Sequence, residues 1–85
     1  MHVDRGSLAF DGPAQYVVEV IGVLSPDWSD RLGGMRIRQL ESGDDGEPVT
    51  ELSGPLLDQA ALAGLLTSLY ELGLTLKRVS RLDPA

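Results

Sequence analysis

Four carboxylates, Asp58, Glu71, Glu19 and Asp30, and two phenols, Tyr16 and Tyr70, are the side chains here best suited to moving a proton. Two carboxylates can divide general acid and base work when a cleft gives them different environments. Nucleophilic chemistry has less to work with. His2 is the only histidine and lies next to Met1, so the body of the chain holds no Ser-His-Asp set. Cysteine is absent, which removes disulfides and sulfur metal ligands together. Gly33-Gly34 and the pair Gly43 and Gly46 lack the strand-to-helix setting and the lysine of a phosphate loop. No cofactor and no metal is expected, and an enzyme with a carboxylate site at a subunit interface is the weaker of two readings.

Asp58 also has a structural use that competes with catalysis. Leu62, Leu65, Leu66, Leu69 and Leu72 recur at spacings of three and four, the stripe of a helix over residues 59–72. An aspartate just before such a stripe accepts hydrogen bonds from the first unpaired amides and favours the positive end of the helix dipole. Gly73 supplies the left-handed residue that closes the helix. Asp58 and Gly73 are therefore read as helix caps. Gln59 is not required by capping and is available to a ligand or partner.

The elements around this helix are strands. Residues 15–24, "QYVVEVIGVL", alternate Tyr16, Val18 and Val20 with Val17, Ile21 and Val23, apolar on both faces except for Glu19. Ser25, Pro26 and Asp27 open a short helical turn that Gly33 and Gly34 end. Residues 35–40 alternate Met35 and Ile37 with Arg36 and Arg38, and an acidic turn leads to a further strand at 49–53. Residues 74–82 form the last strand. The order gives a two-layer α+β domain over 15–82, with a mostly antiparallel four-stranded sheet and one long helix. Two topologies compete: a ferredoxin-like βαββαβ with a reduced first helix, and a β-meander followed by βαβ. Residues 1–14 form an extension with a possible short strand at 7–10, and 83–85 form a tail.

Eighty-five residues carry a net charge of −6. That balance opposes phosphate backbones, so no nucleic-acid partner is expected. The apolar runs are far shorter than a membrane span, and no basic segment leads an apolar one at the start. A cytoplasmic protein is expected. A chain this small buries a modest share of its surface, and one helix covers one sheet face. The twin-faced apolarity of 15–24 then calls for a homodimer joined through the other face, unless the 7–10 segment or the Trp28 turn covers it.

The segments "GVLSPDWSDRLGGMRI", "ELSGPLLDQAALAGLL" and "LGLTLKRV" resemble a family of small uncharacterised prokaryotic proteins. The marks of that family are a Trp-containing turn, a strand ending in Gly-Pro, the run Asp-Gln-Ala-Ala-Leu and a closing Leu-x-Leu strand. The likeness runs from Tyr16 to Leu82 and implies no activity. The chain departs from the pattern at Arg31 and Leu32, where relatives show an aromatic pair, and at Gly64, where relatives show a histidine. The function expected is a small binding or regulatory module acting as a homodimer, with a ligand or a protein as partner. Trp28, Gln59 and Tyr70 are the residues expected to make the contact, since exposed aromatics dominate recognition surfaces.

Overall fold

The computed structural model of the chain describes residues 13–41 and 45–82. The run of β-branched residues forms β1 (Ala14–Ile21), the most enclosed strand. It stops three residues short of the expected end, because Gly22 turns at φ 135° and Val23 points into solvent. A short 3-10 helix (Pro26–Leu32) follows, started by the Ser25 hydroxyl, which accepts from the Asp27 amide, and ended at Gly33. Next come β2 (Arg36–Leu40) and β3 (Val49–Leu56), which extends three residues beyond the expected strand, through Gly54 and Pro55. Helix α1 (Gln59–Glu71) and β4 (Thr75–Leu82) complete the chain.

The strands form one antiparallel sheet in the order β2-β3-β1-β4. β1 sits between β3 and β4 and makes no pairing with β2, so the meander does not describe this sheet. β2 and β3 are adjacent, whereas each of the two helical connections skips one strand. The 3-10 helix carries the chain from β1 past β3 to β2, and α1 carries it from β3 past β1 to β4. The architecture is α+β, a four-stranded open sheet with one long helix. The expected strand at 7–10 and the 83–85 tail lie outside the described residues.

The main core cluster lies on the helix side of the sheet, while Val49 is buried on the other face. Tyr16, Val18 and Val20 of β1, Leu52 and Leu56 of β3, and Ile37 of β2 meet Leu65 and Leu69 of α1. Leu24, Leu32 and Met35, from the connection between β1 and β2, fill the remainder. Trp28 packs onto this same cluster, so the tryptophan turn covers the helix side and not the opposite one. Thr50 is fully buried, and its hydroxyl donates to the Gly22 carbonyl at 2.7 Å, which satisfies it. Gly64 is exposed on α1, and a Cβ there would meet open space, so close backbone packing does not explain it.

Candidate functional site

The ends of α1 account for two of the residues singled out in the sequence. The Asp58 carboxylate accepts from the Ala61 amide at 2.8 Å, with Asp58 extended as an N-cap. At the other end the Gly73 amide donates to the Tyr70 carbonyl and the Leu74 amide to the Leu69 carbonyl. That double closure needs a left-handed residue, which Gly73 supplies at φ 83°. Asp58 and Gly73 therefore act as the caps of α1.

Trp28 is half-buried, and the Arg31 guanidinium stands 5.4 Å from its ring centroid. Beside it runs a groove of about 240 Å³, lined by Leu32 and by Ser68, Glu71 and Leu72 from the end of α1. This groove defines one flank of α1, the flank facing the 3-10 helix. Gln59 and Tyr70 occupy the other flank, since eleven residues make three turns and about 20° at 3.6 residues per turn. They stand roughly 16 Å apart along the axis. The structure therefore separates Trp28 from Gln59 and Tyr70, and it does not bring the three into one site.

That other flank forms part of an apolar wall. Leu62, Leu66 and Tyr70 follow at intervals of four and make one ridge, half-buried at the leucines and 80% exposed at Tyr70. Below the ridge runs β4, the sheet edge remote from the 3-10 helix. Its helix-side residues Leu76 and Val79 pair with Val20 and Val18 of β1 yet remain 50% and 36% exposed. Among the described residues no strand pairs with the outer edge of β4.

The face away from α1 has a different character. Register places Arg38 of β2, Glu51 of β3, Glu19 of β1 and Arg78 of β4 in one row across all four strands. Arg78 donates a hydrogen bond to Glu19, and Arg38 forms an ion pair with Glu51 at 3.0 Å. The two glutamates are direct cross-strand partners at the centre, where Glu19 is only 8% exposed. A bulge at Lys77 lets its ammonium reach Glu47 at 3.7 Å. An apolar row of Leu40, Val49 and Ile21 lies on one side of the charges. The expectation of an apolar second face thus gives way to a charged row with an apolar row on one side only, because Val23 leaves the strand and register aligns the charges.

On the other side of that row, toward the sheet end, a trough of about 480 Å³ crosses the strands. It is lined by Gln15, Arg36, Ser53 and Leu82, with Gly54 and Pro55 of the Gly-Pro mark. Gly54 has φ 151°, and a Cβ on it would lie 3.2 Å from the Met35 sulfur, so this position excludes side chains. Sequence reasoning missed both the charged row and the trough. The alternation of Arg36 and Arg38 was the available signal, but the long turn after β2 hides which β3 residues face them.

Glu19 and Glu51 hold arginines and Asp58 holds a helix amide, so three carboxylates already have partners. Among the described residues no group of three or more His, Cys, Asp or Glu could hold a metal ion, and no helix is long and apolar enough to cross a membrane.

No curated protein and no solved structure matches the chain. A family match does exist, and it begins in β1 and ends within β4, so it takes in most of the sheet, the 3-10 helix, α1 and the trough except Leu82. Residues 15–80 match the family described as Domain of unknown function (DUF8691), and the chain belongs to that family.

Proposed function

We propose that this protein is a small non-catalytic binding module that works as a homodimer, joined edge to edge through β4 and the adjoining flank of α1. One observation carries the reading: the eight-residue outer edge of β4, unpaired among the described residues, and the ridge Leu62, Leu66 and Tyr70 form a single wall. A two-fold axis normal to the sheet would pair β4 with its copy in antiparallel fashion. The same operation sets α1 beside its copy on the same side, so strand edge and helix ridge are matched together. A lone peptide strand would satisfy the edge but leave the ridge in water, which favours a second copy as the occupant.

The other candidate face suits self-association less well. Stacking the charged row on its own copy would set glutamates against glutamates and arginines against arginines, at a cost in like-charge repulsion. The opposite edge is also a poorer candidate. β2 has only five residues and is flanked by the 3-10 helix. The sheet order, with each helical connection skipping one strand and β2 adjacent to β3, further supports a ferredoxin-like βαββαβ whose first helix is reduced to a 3-10 turn. Open sheets of this kind extend from their edges without disturbing the core.

Native mass spectrometry of the full chain tests the reading. The wild type should appear as a dimer, and Leu76→Glu or Tyr70→Arg should each shift it to monomer. Circular dichroism should stay native in both, because these side chains are half or more exposed. A wild-type monomer, or a dimer that survives both substitutions, would remove the β4 interface.

A further inference from the structure

We propose that the trough at the Gly54-Pro55 end of the sheet binds a small organic carboxylate, with Arg36 holding the acid group and Pro55 and Leu82 holding its carbon body. The argument begins with the cations of this face. Arg38, Arg78 and Lys77 each have a glutamate partner, in Glu51, Glu19 and Glu47. Arg36 is exposed and, among the described residues, pairs with no carboxylate. It is also the cation that lines the trough.

The polar lining is rich in donors. Ser53 is the cross-strand partner of Arg36, which puts the two side chains on one face about 5 Å apart at Cβ. Gln15 adds an amide from the next row toward the sheet end, and no acidic side chain lines the trough. A guanidinium presents five N–H groups in a fork that fits a carboxylate with two parallel bonds, and a neighbouring hydroxyl and amide can serve the remaining lone pairs. One guanidinium in the trough of a chain of net charge −6 matches one negative charge better than a phosphate dianion.

Size and shape agree. About 480 Å³ falls within the range of small-molecule sites. Pro55 and Leu82 flank Gln15 on β3 and β4 and give apolar walls on this end of the sheet. Pro55 is the part of the Gly-Pro mark this reading uses, since a side chain on Gly54 would point to Met35 on the helix side. The proposal concerns the face away from α1, so it stands or falls independently of the dimer.

Nitrogen-15 NMR titration of the full chain provides the test, with benzoate and its neutral isostere benzamide as probes. Benzoate should give saturable shifts of the Gln15, Arg36, Ser53 and Gly54 amides that benzamide does not give. Arg36→Met should weaken benzoate at least tenfold, a loss of about 1.4 kcal/mol. Arg38→Gln, which removes a paired arginine from the same strand, should leave benzoate affinity unchanged. An acetylated Leu-Leu peptide with a free terminal carboxylate, compared with its amidated form, distinguishes the source. Tighter binding than benzoate points to peptide C-termini, and weaker binding to free acids. Benzoate shifts that match those of benzamide, that map to Trp28 and Arg31, or that persist in Arg36→Met would overturn the site.

Discussion

Val18 and Glu19 are neighbours in β1, and each is enclosed between residues of β3 and β4, but they are enclosed by opposite means. Val18 is partnered by Leu52 and Val79 on the helix side and belongs to the core. Glu19 is partnered by Glu51 and Arg78 on the other side and is nearly as buried. One face excludes water with a second layer of side chains. The other does so with a row of long charged side chains whose stems lie on the sheet. The comparison teaches that a strand enclosed on both faces does not need a covering layer on both. Burial of Glu19 is achieved within the sheet, which frees this face from the need for a second copy.

The largest expected effect tests that difference directly. Val18→Asp places an unpaired carboxylate in the apolar core and should unfold the domain, a loss of more than about 4 kcal/mol. Val17→Asp puts the same charge one residue earlier on the open face, where Val17 is half-buried beside Ser53 and Ser80. It should cost about 1 kcal/mol and leave the mass in native spectrometry unchanged. Chemical denaturation of the two variants decides between these outcomes. Dissociation of a dimer by Val17→Asp would move the interface to the open face and end the β4 reading.

How much of this was legible depended on whether a residue's role was set locally or by register. The leucine stripe of α1 and its Asp58 and Gly73 ends follow from spacing along one segment, and the helix runs from Gln59 to Glu71 much as that spacing requires. The edge position of β2 follows from its alternating arginines. The charged row could not be read, since it needs three independent registers, and two of them join strands far apart in sequence. The bulge left a trace that was overlooked. Leu74 and Leu76 are two apart, but Val79 follows after three, so the apolar phase slips by one residue at Lys77. The exposure of the β4 wall left no such trace, because it depends on where α1 settles across the sheet.

A smaller effect concerns the helix that creates the covered face. Asp58 closes one amide of the first turn, and its loss loosens the layer over Val18 without touching the charged row. Asp58→Ala should lower stability by about 1 kcal/mol, while Asp58→Asn should be nearly neutral, because asparagine caps as well as aspartate. Thermal melts of both variants give the answer. A wild-type-like alanine variant would mean that the helix is held by Leu65 and Leu69 alone.

The smallest effects lie in the charged row itself and sharpen the comparison most. Its order is Arg38, Glu51, Glu19, Arg78, so the two carboxylates are adjacent and each depends on its own arginine. Both arginines are about equally exposed, at 63% and 64% of the side chain, so exposure does not distinguish the pairs. The glutamates differ, with the Glu19 side chain 11% exposed and that of Glu51 19%. Coupling grows as solvent screening falls, so a double-mutant cycle on Glu19 and Arg78 should give about 1 kcal/mol, against about 0.5 kcal/mol for Glu51 and Arg38. Adjacency adds a prediction of sign. Once Arg38→Gln has removed its partner, Glu51 has only Glu19 beside it, and Glu51→Gln should then raise stability by relieving like-charge repulsion. In the intact row the same substitution should be neutral or slightly destabilising. If Glu51→Gln has the same effect in both backgrounds, the row is four separate surface charges, and the burial of Glu19 must come from the strand backbone and its apolar neighbours Val17 and Ile21.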